Sequence, residues 1–191
     1  EGFANTEADV YLSDVGFGDN VATRWADDVE AAFESEGIKL SKLERAGGDL
    51  SQWGVKAKGK LAPIWHNVIE NPEMFDVPAN VQKALTRYTQ RQTRWVKELV
   101  DRGLAPKSML TNYARRIVSH IDGEDVRIGP KGAIGAKQGF RRARTRAAVE
   151  QNDHVRYMAN PAANAEIFGK EAARTIAAHE LAVRWGLKPR E

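Results

Sequence analysis

Cysteine is absent from all 191 residues, which removes disulfides, thiolate zinc sites, iron–sulfur ligation and cysteine nucleophiles together. Long apolar runs are missing as well. Arg, Lys, Asp or Glu interrupts every hydrophobic stretch before the roughly 18 residues a spanning helix requires, so no membrane span is expected. The chain lacks the basic and then apolar leader of a secretory signal and starts Glu1-Gly2-Phe3, as a piece or processed product of a larger protein would. The four histidines define no ligand pattern: His66, His120 and His154 are scattered. His179-Glu180 opens like a zinc-protease helix, but Val183 stands where the second histidine is required. No metal or cofactor is called for.

What remains has ordinary globular proportions, 42% apolar and 29% charged, in a length suited to one domain. The net charge of +3 hides an uneven distribution. Residues 1–39 carry ten acids, Glu1 to Glu36, against Arg24 and Lys39. Residues 106–146 reverse the balance: Lys107, Arg115, Arg116, Arg127, Lys131, Lys137, Arg141, Arg142, Arg144 and Arg146 stand against Asp122, Glu124 and Asp125. Such a segment attracts polyanions, whether nucleic acid or an acidic protein surface; solvated surface, or pairing with the chain's own acidic N-terminus, is the plainer reading.

Periodicity predicts a mainly α fold, an irregular helical bundle with two long amphipathic helices and a long Gly-rich basic loop. A first helix is expected over Asn20 to Glu36, where Val21, Trp25, Val29 and Phe33 recur every four residues and Gly37 stops it. Short helical patterns follow at Ile38 to Ala46 and around Leu61, Trp65, Val68 and Ile69. The strongest pattern runs from Pro78 to Arg102, closed by Gly103. Val81, Leu85, Tyr88, Gln92, Trp95, Val96 and Leu99 fall on one side of it, and Lys83, Arg87, Arg91 and Arg94 on the other. Tyr113 to Ile121 fits helix or extended chain equally. Residues 121–140 read as an exposed loop because Gly123, Gly129, Pro130, Gly132, Gly135 and Gly139 punctuate them. A short helix is expected from Phe140 to Glu150, and a final one from the Asn160-Pro161 cap to about Trp185. Phe168, Ala172, Thr175, Ile176, His179 and Val183 share its face, widened by Ile167, Ala178, Leu181 and Trp185, and it is expected to pack on the Pro78–Arg102 helix. The domain reading is an acidic helical segment over 1–60 and a helical module over 61–191. Trp25, Phe33, Trp65, Tyr88, Trp95, Leu99, Phe168 and Ile176 are the expected core.

Two stretches bear on chemistry. Gly129 to Lys137 has the composition of a phosphate loop without the Gly-Lys-Ser/Thr ending or a preceding strand, which rules out nucleotide hydrolysis there. Phe140 to Arg146 sets Arg141, Arg142, Arg144 and Arg146 beside one aromatic, a pattern for phosphates with base stacking, or equally for carboxylates. The candidate nucleic-acid contacts are therefore Lys83, Arg87, Arg91, Arg94, Lys131, Lys137, Arg141, Arg142, Arg144 and Arg146. No local motif supports an enzyme; a catalytic site between the two long helices would have to place His179 in a reachable cleft.

The run Asn71-Pro72-Glu73-Met74-Phe75-Asp76-Val77-Pro78, with the helix Val81 to Leu99 and Gly103-Leu104 after it, resembles helical segments of the giant polyvalent proteins of phages and prophages. The later order over 61–191 is similar too: Tyr113 to Val118, a Gly-rich basic loop, Arg141 to Arg146, the Tyr157 to Pro161 turn and an Ala-rich last helix. The resemblance implies a virion-associated or injected protein of the virion or host cytoplasm, and a non-enzymatic structural or interaction module. Its partners would be other segments of a larger parent or virion proteins, with nucleic acid as the alternative.

Overall fold

The computed structural model describes residues 2–121, 124–125 and 155–186. They are mainly α-helical, as expected. Five α-helices occur among them: α1 Gly2–Ser35, α2 Leu40–Arg45, α3 Trp65–Glu70, α4 Ala79–Asp101 and α5 Pro161–Arg184. Single 3-10 turns lie at Ser51–Trp53, Pro72–Met74 and Lys107–Leu110. Among the described residues no helix is long and apolar enough to cross a membrane.

Local chemistry accounts for the helix ends. The Asn160 side chain accepts from the Ala162 and Ala163 backbone N–H groups, satisfying two of the donors that a helix start leaves open, and Pro161 occupies the first turn. Gly103 follows α4 at φ 70°, the left-handed conformation that glycine adopts without a Cβ clash.

α1, α4 and α5 form the frame. Ion pairs set their directions: α1 meets α5 through Arg174–Asp19 and Arg184–Asp14 and α4 through Arg91–Asp28 and Lys83–Glu36. In both cases rising numbers meet falling ones, so α1 is antiparallel to α4 and α5. Tyr88 meets Asn164 and Arg102 meets Glu180, so α4 and α5 run parallel. α5 packs on α4 as expected, but its longer interface is with α1.

That interface is built from small residues. Gly18, Ala22 and Ala26 recur every four residues on α1, and Ala165, Gly169, Ala173 and Ala177 on α5; all are buried. A Cβ at Gly18 would lie 2.3 Å from Ala173 Cβ, and one at Gly169 would lie 2.7 Å from Ala22 Cβ. Neither neighbour can rotate away, so the spacing of the two helices depends on those glycines.

Beside this seam sits an aromatic cluster. Trp25 and Tyr88 lie 5.6 Å apart, Trp65 and Tyr88 5.0 Å edge to face, and Trp25 and Phe168 6.1 Å edge to face, geometries worth about 0.5–1.5 kcal/mol each beyond the area they bury. Trp65 also donates from Nε1 to the Ala159 carbonyl at 3.1 Å, tying α3 to the entry of α5.

The strands are short. β1 Lys56–Ala57 pairs antiparallel with β2 Phe75–Asp76. β3 Val118–Ile121 lies between β4 Glu124–Asp125 and β5 Val155–Tyr157, antiparallel to both.

Several expectations change. α1 starts at Gly2 instead of Asn20, so the frame has three long helices, not two. Its first half escaped notice because its covered face is Gly18 with half-buried Tyr11 and Val15, a weak apolar period held by contact with α5. Tyr113 to Ile121 is extended and its last four residues are strand. Ile121, Glu124 and Asp125, assigned to a loop, are paired strand residues; the remaining residues of the 121–140 loop and all of the Phe140 to Glu150 helix lie outside the described residues. Of the expected core, Trp95 and Ile176 are only partly buried, packed on its rim. At the end of α5, Ala178, Val183 and Trp185 are exposed: α4 has ended by Arg102, level with Glu180, and no further helix among the described residues takes its place.

Candidate functional site

Three of the four cations on the outer face of α4 are ion-paired with carboxylates. Lys83 Nζ lies 2.7 Å from Glu36 Oε1, and Arg87 and Arg91 converge on Asp28 Oδ2 at 3.2 and 2.8 Å. Glu36 holds the Lys83 ammonium above its ordinary range through that hydrogen bond. Of the four, only Arg94 is exposed without an ion-pair partner among the described residues. Arg115 and Arg116, counted in the basic segment, are buried. The remaining candidates, Lys131, Lys137, Arg141, Arg142, Arg144 and Arg146, lie outside the described residues.

The polar chemistry converges elsewhere, where α3, α4 and α5 enclose the extended chain at 113–116. Backbone in an extended segment needs partners that a neighbouring strand would supply. Here two side-chain amides supply them. Gln92 donates through Nε2 to the Tyr113 carbonyl and accepts through Oε1 from Arg115 N at 3.3 Å. Asn164 donates through Nδ2 to the Arg115 carbonyl at 2.8 Å.

These bonds fix the orientation of both amides. The Tyr88 hydroxyl then faces two acceptors, Gln92 Oε1 and Asn164 Oδ1, each at 2.8 Å, and has one proton. Gln92 Oε1 already accepts from Arg115 N, so the Tyr88 proton satisfies most by going to Asn164. Burial pushes the Tyr88 phenol well above its ordinary value; it acts as a neutral donor, not as a base or nucleophile.

Two buried arginines extend the network. Arg115 Nη2 pairs with Glu171 Oε2 of α5 at 3.1 Å, the side chains 7% and 11% exposed. Burial raises the Glu171 carboxyl above its usual range while Arg115 pulls it back. Arg116 grips Glu70 of α3 through Nε and Nη2 and donates to Asn67 Oδ1 at 2.7 Å, the planar fork geometry that suits arginine to carboxylates. The Arg116 guanidinium also lies 5.2 Å from the Tyr157 ring centroid, so one side chain links α3 to β5.

The result is a clamp. It binds 113–116 to three helices and thereby anchors β3 and β5, whose register pairs Ile121 with Val155. The stem thus brings together the two ends of the part of the chain that holds residues 126–149, which contain seven Lys or Arg and no Asp or Glu.

The sequence reading missed this constellation. Gln92 inside an apolar face was its visible signal; Asn164, Glu70 and Glu171 gave none, because their partners are far along the chain. His179 is half-buried, and no cluster of metal-binding side chains occurs among the described residues. Comparison with protein-family models, with curated proteins and with solved structures yields no match.

Proposed function

We propose that the chain is a non-enzymatic structural or interaction module, a helical scaffold that belongs to a larger, phage-encoded protein. The observation that carries the scaffold reading is the clamp: Tyr88, Gln92, Asn164, Arg115 and Arg116 spend their polar groups on one another, on backbone and on Glu171 and Glu70. Hydrogen-bonded polar interiors rigidify and specify a fold; catalysis requires groups aimed at a reachable space. The phage parent rests on the resemblance over 61–191.

Nucleic-acid binding is the second reading, favoured by the uninterrupted cationic composition of 126–149. Fluorescence anisotropy with labelled single- and double-stranded DNA and RNA, run across a salt series on protein shown to be folded by circular dichroism, separates the two. The module reading expects no binding at low salt. Binding that falls by orders of magnitude with added salt, and is lost when Arg141, Arg142, Arg144 and Arg146 become glutamine, would replace it.

A further inference from the structure

α1 divides its carboxylates by face. Those toward the other long helices are paired across to them: Glu7 and Asp14 with Arg184, Asp19 with Arg174, Asp28 with Arg87 and Arg91, and Glu36, just past the helix end, with Lys83. Asp9, Asp27, Glu30 and Glu34 are exposed and have no ion-pair partner among the described residues. At 100° per residue these four fall within about 60° of one another, opposite the buried Trp25, Val29 and Phe33. Arg24 is the one cation in the helix.

Apolar surface flanks that face, with Leu12 at one margin and Phe17 about 140° round the helix at the other. Leu12 is 64% and Phe17 72% exposed, with Val10 at the edge. Between Leu12 and Phe17 lie Ser13 and Gly16, and a Cβ added at Gly16 would meet nothing within 4 Å. A glycine inside a helix costs about 1 kcal/mol relative to alanine, and among the described residues none needs the space at this one. It leaves a shallow trough with apolar walls, into which the ridge of another helix fits closely.

We infer that this outward face of α1, from Asp9 to Glu34, docks a cationic amphipathic helix of a partner protein. The apolar stripe of that helix covers Leu12 and Phe17, and its Lys or Arg residues meet Asp9, Asp27, Glu30 and Glu34, a stretch of about 37 Å along the axis. Charge selects this occupant. Nucleic acid and anionic lipid are repelled by four unpaired carboxylates. A second copy paired antiparallel over the whole face would set Asp9 against Glu34 and bring no cation but Arg24 to it.

The proposal rests on the interaction-module reading and names its partner. Its probe is a fluorescent leucine–lysine amphipathic peptide of about seven helical turns, titrated into the full chain, with a leucine–glutamate peptide as control. Expected are salt-sensitive binding of the lysine peptide alone, weakened about tenfold or more by Leu12→Ser with Phe17→Ser, and weakened also by Asp27→Asn with Glu30→Gln and Glu34→Gln. These positions are exposed, so thermal unfolding should hold steady in both variants.

Absence of binding at low salt, or binding indifferent to both variants, would overturn the proposal. So would a dimer in sedimentation equilibrium that dissociates on Phe17→Ser, which makes the occupant a second copy. Peptide binding gained only after Arg141, Arg142, Arg144 and Arg146 become glutamine overturns it too, since the chain's own basic segment then holds the face. Salt-steep nucleic-acid binding, insensitive to the α1 variants, sinks the module reading by a separate measurement.

Discussion

The two sides of α5 are joined to the fold by opposite means. Toward α1 it presents Ala165, Gly169, Ala173 and Ala177, and the contact consists of close approach. Toward 113–116 and α4 it presents Asn164 and Glu171, and the contact consists of directed hydrogen bonds and a buried ion pair. The buried small-residue line of the first side has no polar group to lose and no volume to spare; its ion pairs, Arg174–Asp19 and Arg184–Asp14, lie at the margin. The second can change volume at its edges but cannot leave a charge or an acceptor unpaired. One helix therefore has two failure modes, and substitutions should separate them.

The largest effect is expected on the polar side. Arg115→Met keeps most of the side-chain volume and leaves Glu171 buried without its cation, which should cost about 3–5 kcal/mol in denaturant unfolding at neutral pH. The sign of its pH dependence follows from the raised Glu171 carboxyl. A carboxyl whose folded pKa lies above its unfolded one favours the folded state below the unfolded value and loses that contribution as pH rises through the folded value. Without Arg115 the pKa rises further, so the deficit of the variant should shrink as acid protonates Glu171. A deficit that is flat with pH would mean Glu171 is not the group left stranded.

On the close-approach side, Gly169→Ala adds one methyl group that meets Ala22. Overpacking of this kind should cost about 1–3 kcal/mol. Ala22→Gly in the same chain vacates the space, so the double variant should be more stable than the sum of the two single changes allows. Strict additivity in that cycle would show that the helices already move apart at no cost.

Smallest is Tyr88→Phe. The ring remains in the aromatic cluster, and only the hydroxyl proton is lost from Asn164 Oδ1. About 1–2 kcal/mol is expected, the cost of an unsatisfied buried acceptor, read as a lowered unfolding midpoint. An unchanged midpoint would place the Tyr88 proton on Gln92, whose oxygen keeps a second donor in Arg115 N.

α4 and α5 were legible from their residues because their signals are local. Gly103 after α4 and the Asn160-Pro161 cap of α5 act within one turn, and the apolar period of α4 is strong. α1 was half legible. From Val21 onward large apolar side chains mark its buried face; before that, burial is by glycine and by contact with α5, which composition does not register. The strand pairing of Ile121 with Glu124 leaves only Asp122-Gly123 between the paired positions, and Asp-Gly is a favoured two-residue hairpin sequence. By sequence pattern Gly123 reads as loop punctuation, because the strands on either side are too short to show alternation.

The candidate site shows the same division more sharply. That Lys83, Arg87, Arg91 and Arg94 share a face follows from 3.6 residues per turn, and so does the segregation of acids on α1. Whether a cation on that face meets phosphate or carboxylate depends on which helix lies beside it. By itself the sequence determined helical class, helix ends and the sidedness of charge, since each arises between residues a few positions apart. Only the tertiary structure decided that Asp28 and Glu36 neutralise three of those cations, that Arg115 and Arg116 are interior clamps, and that the outer carboxylates of α1 are left over. Electrostatic and hydrogen-bond partners separated by 46 to 63 residues are chosen by packing, and packing is a property of the whole chain.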